Sequence, residues 1–129
     1  MKLLRILPLL LLLCGCAREV SPVSALALDR ENGVYRLTAE VVRQDAPDDT
    51  AAPAYLSSTG ADVTEALRNL RNILPGDLYL SHAQVLLLSE EAASDSVLPL
   101  ADYLCRENDV RLSLRAAVVR DGSAAAESD

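Results

Sequence analysis

Asn32-Gly33 separates two apolar stretches and restricts what the chain around it can become. Both residue types tolerate a positive φ, which a two-residue β-hairpin loop requires. Before the pair, Val23 to Leu28 is apolar and ends in the charged run Asp29-Arg30-Glu31. After it, Val34 to Val42 alternates, with Tyr35, Leu37, Ala39 and Val41 on one face and Arg36, Thr38 and Glu40 on the other. Period two marks a strand with one wet face, so the segment is predicted to be a β-hairpin. Residues 43–53, with two prolines and three aspartates and no period, are predicted to be an exposed loop. Ala54 to Ser58 is predicted to be a short third strand.

A helix follows. Asp62-Val63-Thr64-Glu65 has capping-box spacing, with Asp in place of the usual Ser or Thr. Val63, Ala66, Leu67, Leu70 and Leu74 fall on one stripe, and Pro75-Gly76 ends the helix. Arg68, Asn69, Arg71 and Asn72 face away from that stripe and form a candidate partner-facing surface. Leu78 to Leu88 is predicted to be a single central strand, apolar on both faces in its later part. A second helix runs from about Ser96 to Arg106, which keeps Pro99 in the first turn. Arg111 to Arg120 alternates again, with Leu112, Leu114, Ala116 and Val118 inward. The order β-β-β-α-β-α-β gives an α+β fold: a mixed sheet of about five strands with two helices packed on it.

The N-terminus carries different information. Lys2 and Arg5 precede an apolar run from Ile6 to Cys14. That run is about half the ~20 residues needed to span a bilayer, so it is predicted to be an export signal and not a transmembrane anchor. Leu13-Cys14-Gly15-Cys16 resembles a bacterial lipobox. In proteins that match it, the cysteine sulfur takes a diacylglyceryl group and the signal is cut just before it. Two or more acyl chains give stable anchoring. The competing reading is an ordinary cleaved signal with an incidental cysteine. The expected organisation is a signal over 1–15, a lipidated tether over 16–22, a domain over 23–120 and a polar tail over 121–129. Removing residues 1–15 removes the only lysine and leaves 10 Arg against 19 acids. So acidic a chain does not attract nucleic acid or anionic headgroups by its net field. Membrane attachment is therefore expected to come from the lipid.

Little in the sequence points to catalysis. His82 is the only histidine, and the strand assignment makes it a structural residue. A small hydrolase built on it would need an acid partner that the sequence does not place. Cys105, beside Leu104, is expected to be a buried small hydrophobe. Glu90-Glu91 directly follows a strand, where a helix N-terminus would attract acids. There is no phosphate loop, no serine elbow and no metal-ligand spacing, so no cofactor and no metal are expected. The chain has no Phe or Trp, which removes base-stacking platforms.

Read in order, "GCAREV", "ALALDRENGVYRLTAEVV", "STGADVTEALRNL", "YLSHAQVLLLSEE" and "LADYLCRENDVRLSLRAAVVRDG" resemble the N-terminal domain of the Ger(x)C family, the lipoprotein C subunits of spore germinant receptors. The residues that carry the resemblance include Cys16, Asp29, Gly33, Tyr35, Ser58, Gly60, Glu65 to Leu70, His82, Glu90, Asp102, Arg106 and Arg111. Ala17-Arg18-Glu19 and Ser81 depart from the family pattern, and family members are longer, three-domain proteins. The resemblance implies a non-enzymatic, lipid-anchored subunit on the outer face of the spore inner membrane or of the cell membrane. Its implied partners are the integral membrane subunits of a germinant receptor, and its implied role is nutrient-triggered germination. It further implies structural roles for Glu65, Asn69, His82 and Arg111. The alternative is a general cell-envelope lipoprotein that binds a small ligand or assists assembly.

Overall fold

The computed structural model describes residues 20–43, 52–95, 97–106, 113–120 and 122–126. Cys16, the predicted 1–15 signal, most of the predicted 43–53 loop, Arg111 and Leu112 lie outside the described residues. The elements run β1 (Val20–Glu31), β2 (Val34–Val41), β3 (Ala54–Gly60), α1 (Val63–Ile73), β4 (Asp77–Tyr79), β5 (Val85–Ser89), α2 (Glu90–Asp95), α3 (Leu98–Arg106) and β6 (Arg115–Val119). The fold class is α+β, as expected; among the described residues there are six strands instead of about five and three helices instead of two.

The hairpin forms as the sequence predicts. Asn32 and Gly33 take positive φ values of 52° and 79°, and Glu31 pairs with Val34 across the turn. β2 then pairs antiparallel with β3, so β1, β2 and β3 form a meander. β5 adds parallel to the other edge of β1, and β6 adds parallel to β5, giving the order β3-β2-β1-β5-β6. β4 pairs parallel with the first residues of β1, Val20 with Asp77 and Pro22 with Tyr79. β1 therefore begins three residues before the predicted domain start at residue 23.

One face of the sheet holds the core. Registered pairs place Leu26 beside Ala39 and Leu86, and Leu28 beside Leu37 and Leu88. The α1 stripe of Val63, Ala66, Leu67, Leu70 and Leu74 is buried among the same core residues. Burying the four Val and Leu side chains of this stripe, at roughly 1.5–3 kcal/mol each, is what holds so short a helix in place. Leu100 and Leu104 of α3 complete the layer.

The single strand predicted over Leu78–Leu88 is two strands. The chain leaves β4 at Leu80, turns at Ser81-His82 and re-enters the sheet at Val85. Backbone bonds pin that turn: Ala83 N donates to Leu80 O (3.0 Å) and Gln84 N donates to Ser24 O (2.9 Å). β6 also differs from expectation. Ala116 and Val118 share the face of Leu86 and Leu88 through the β5–β6 register, yet both are exposed, Val118 by 51%. β6 is an edge strand that the helices do not cover.

Candidate functional site

The β1 and β5 C-termini, the β2 start and the β3 end meet at one end of the sheet. They place Asp29, Arg30, Glu31, Arg36, Thr59, Ser89, Glu90 and Glu91 around a cleft of about 650 Å³. Gly122 and Ser123 close one side. A smaller hollow of about 380 Å³ shares Arg30, Glu90 and Glu91 and extends to Ser94 and Asp95. The carboxyl ends of parallel strands are the usual place for a binding crevice in sheets of this kind. The volume lies within the range of small-molecule sites.

Each wall of the cleft has a local cause. Asp29, buried on the face away from α1, accepts from Ser123 Oγ (3.0 Å), Ala124 N (2.5 Å) and Ala125 N (3.2 Å). The segment expected as a polar tail is thus pinned back onto β1, and Ala124 is fully buried. Ser89, the last residue of β5, accepts from Arg30 N (3.2 Å) and from Ala92 N (3.3 Å). One hydroxyl so ties β1 to the first turn of α2. Glu90 and Glu91 begin α2, where the helix dipole tolerates acids.

A second cluster fixes the far end of α2. The Tyr35 hydroxyl donates to Asp95 Oδ2, and the Arg30 guanidinium lies 5.4 Å from the Tyr35 ring centroid. Arg30 Nε sits 3.7 Å from Asp95 Oδ2, shielded from solvent and without a hydrogen bond among the described residues. The hydrogen bond to Asp95, together with burial and that carboxylate's charge, raises the Tyr35 phenol above its usual value of 10.0. The cleft thus presents carboxylates and guanidinium groups side by side. It suits a partner or ligand that carries both signs of charge.

The motif spanning β3 and α1 forms a clamp. Ser58 Oγ donates to Ala66 O (2.7 Å), and Asn69 Nδ2 donates to Thr59 O (2.8 Å). Asp62 accepts from Glu65 N (2.8 Å), while Glu65 Oε2 accepts from Ala61 N (2.7 Å). At Gly60 the strand passes so close to the helix that a Cβ would lie 2.4 Å from Ala66 N. Glu65 and Asn69 both bond within this clamp.

The four residues expected to face a partner divide. Asn69 is held by Thr59 O. Arg71 donates to the Tyr103 hydroxyl and stacks 5.0 Å from that ring centroid, joining α1 to α3. Arg68 and Asn72 are exposed on the same helix. His82 is also exposed. It lies in the turn between β4 and β5 and not within a strand, with its ring 5.8 Å from that of Tyr79. Cys105 is exposed and not buried, because Leu104 and not Cys105 takes the inward position of α3. Sequence reasoning missed the cleft. Its only local signs were the charged ends of two strands, Asp29-Arg30-Glu31 and Ser89-Glu90-Glu91.

No group of His, Cys, Asp and Glu among the described residues is arranged to hold a metal ion. No helix among them is long and apolar enough to cross a membrane. In comparison with known proteins, the family model described as "Spore germination protein N-terminal domain" matches residues 18–127. No curated protein and no solved structure matches the chain.

Proposed function

Because the chain belongs to the family of spore germination protein N-terminal domains, and so has a role in spore germination, we propose that it works there as a lipid-anchored, non-enzymatic subunit of a germinant-receptor-like complex. Cys16 is the anchor, and integral membrane subunits of the receptor are the partners. The protein acts by contact and not by bond chemistry.

One observation carries the contact reading. Of the motif residues Ser58, Gly60 and Glu65 to Leu70, all but one have a structural role. Ser58, Glu65 and Asn69 bond across the clamp, Gly60 gives the close approach, and Ala66, Leu67 and Leu70 are buried. Arg68 alone is exposed and makes no hydrogen bond or ion pair among the described residues. An exposed arginine without such a bond on a helix held at its buried face is available to a partner, and Arg is enriched among residues that dominate interface energies.

The test is affinity isolation from detergent-solubilised membranes. Arg68→Glu is expected to reduce recovery of the membrane subunits with the melting temperature unchanged. Undiminished recovery would exclude Arg68 from the interface. The cleft supports a second reading, an envelope lipoprotein that binds a small ligand with both charges. On that reading Arg36→Glu would abolish ligand binding while Arg68→Glu would leave it intact.

A further inference from the structure

The end of the sheet opposite the cleft holds the start of β1, and Val20 there is four positions along the chain from Cys16. Four residues span at most ~14 Å when fully extended. Wherever Cys16 is fixed, this end of the sheet is held within that distance. The cleft lies beyond it: Asp29 is nine residues further along β1, or about 30 Å at ~3.3 Å per residue.

The tethered end has an apolar, exposed surface. Val20 (39%), Val42 (45%), Tyr55 (39%) and Ile73 (49%) are four of the seven large hydrophobic residues left exposed among the described residues. The pairings Val20 with Asp77, Val23 with Val41 and Val41 with Ala54 bring the β1, β4, β2 and β3 ends that carry them to one side. Ile73 ends α1, the helix that returns the chain from the cleft end to β4. The half-buried Tyr79 and exposed His82 rings stand at the same end. Tyrosine rings settle at the headgroup level of a bilayer. Charge does not favour the contact, because exposed Asp77 pairs with Val20 at this end. The attraction is apolar and depends on the anchor.

We infer that the sheet end bearing Val20, Val42, Tyr79 and His82 rests on the lipid bilayer, which turns the charged cleft away from it. The inference depends on the proposed lipidation of Cys16.

The chain contains no tryptophan, so a single introduced one reports its own surroundings. Val42→Trp marks the tethered end and Val34→Trp the cleft end, both at exposed positions. Val20→Trp is a second reporter at the tethered end should Val42→Trp fold poorly. The full-length protein is matured in cells, extracted from membranes and reconstituted into phosphatidylethanolamine–phosphatidylglycerol vesicles containing brominated phosphatidylcholine. It is then floated on a density gradient. Flotation reads the anchor, and quenching by bromine reads the surface. The expected result is flotation of all variants, loss of most of the Val42→Trp emission, and an unquenched Val34→Trp. Flotation with both reporters unquenched, or with Val34→Trp quenched instead, would overturn the docking surface and leave the anchor standing. Failure to float would overturn the anchor and the surface with it.

Discussion

Gly60→Ala would place a Cβ 2.4 Å from Ala66 N and 2.9 Å from Asp62 O, both backbone atoms of the α1 start. Backbone cannot swing aside as a side-chain tip can, so β3 or α1 must move. Overpacking of this kind costs about 1–3 kcal/mol, and a backbone clash belongs at the upper end. Gly122→Ala is the control: its nearest neighbour, a Val119 methyl group, is 3.6 Å away, an ordinary contact. The expected cost there is within about 0.5 kcal/mol. Urea denaturation of both variants checks the difference. Tyr35 gives a pH signature at the same scale. Its phenol is raised in the folded state, so the protonated form is the one that folding favours. The stabilisation is complete below the unfolded phenol's value of about 10 and is lost as pH rises through the higher folded value. Melting temperatures of the native protein should therefore fall more steeply above pH ~10 than those of Tyr35→Phe.

Among the elements, α1 gives the clearest separation of packing from contact. Leu70→Ala removes a fully buried side chain and should cost about 2–5 kcal/mol. Arg68→Ala should cost within about 0.5 kcal/mol. Arg71→Ala should lie between them, because it loses the stack on Tyr103 that joins α1 to α3, an interaction of about 0.5–1 kcal/mol at an exposed site. Thermal melts of the three variants should fall in that order. The hairpin and α1 were legible in the sequence because their determinants are local: Asn32-Gly33 at the turn, Asp62 and Glu65 at the cap, and one apolar stripe. The break at Leu80–Gln84 was not legible. It interrupts a run from Leu78 to Leu88 whose apolar content is continuous, and backbone bonds to Ser24 and Arg115 hold it. The β6 face was assigned correctly but its burial was not, since alternation gives the direction of a side chain and not what covers it. The cleft was hidden for a related reason. Its walls come from residues 29–32, 34, 36, 59, 89–91 and 122–123, which only the sheet topology brings together.

For the whole molecule, the sheet separates two ends with different chemistry. One carries the charged cleft, built on Asp29, Arg30, Glu90 and Glu91. The other carries exposed Val20, Val42 and Ile73 beside the point where the chain arrives from Cys16. The family match assigns the domain to spore germination, and the lipid proposed at Cys16 would give that polarity a physical reference, with the membrane at one end and the cleft at the other. Cys16→Ala should release the protein from the membrane fraction. The most direct measurement is the intact mass of the protein extracted from membranes. The expected species starts at Cys16 and carries a diacylglyceryl group on its sulfur. A mature chain that retains residues 1–15, or one with a free thiol at Cys16, would contradict the anchored subunit proposed here.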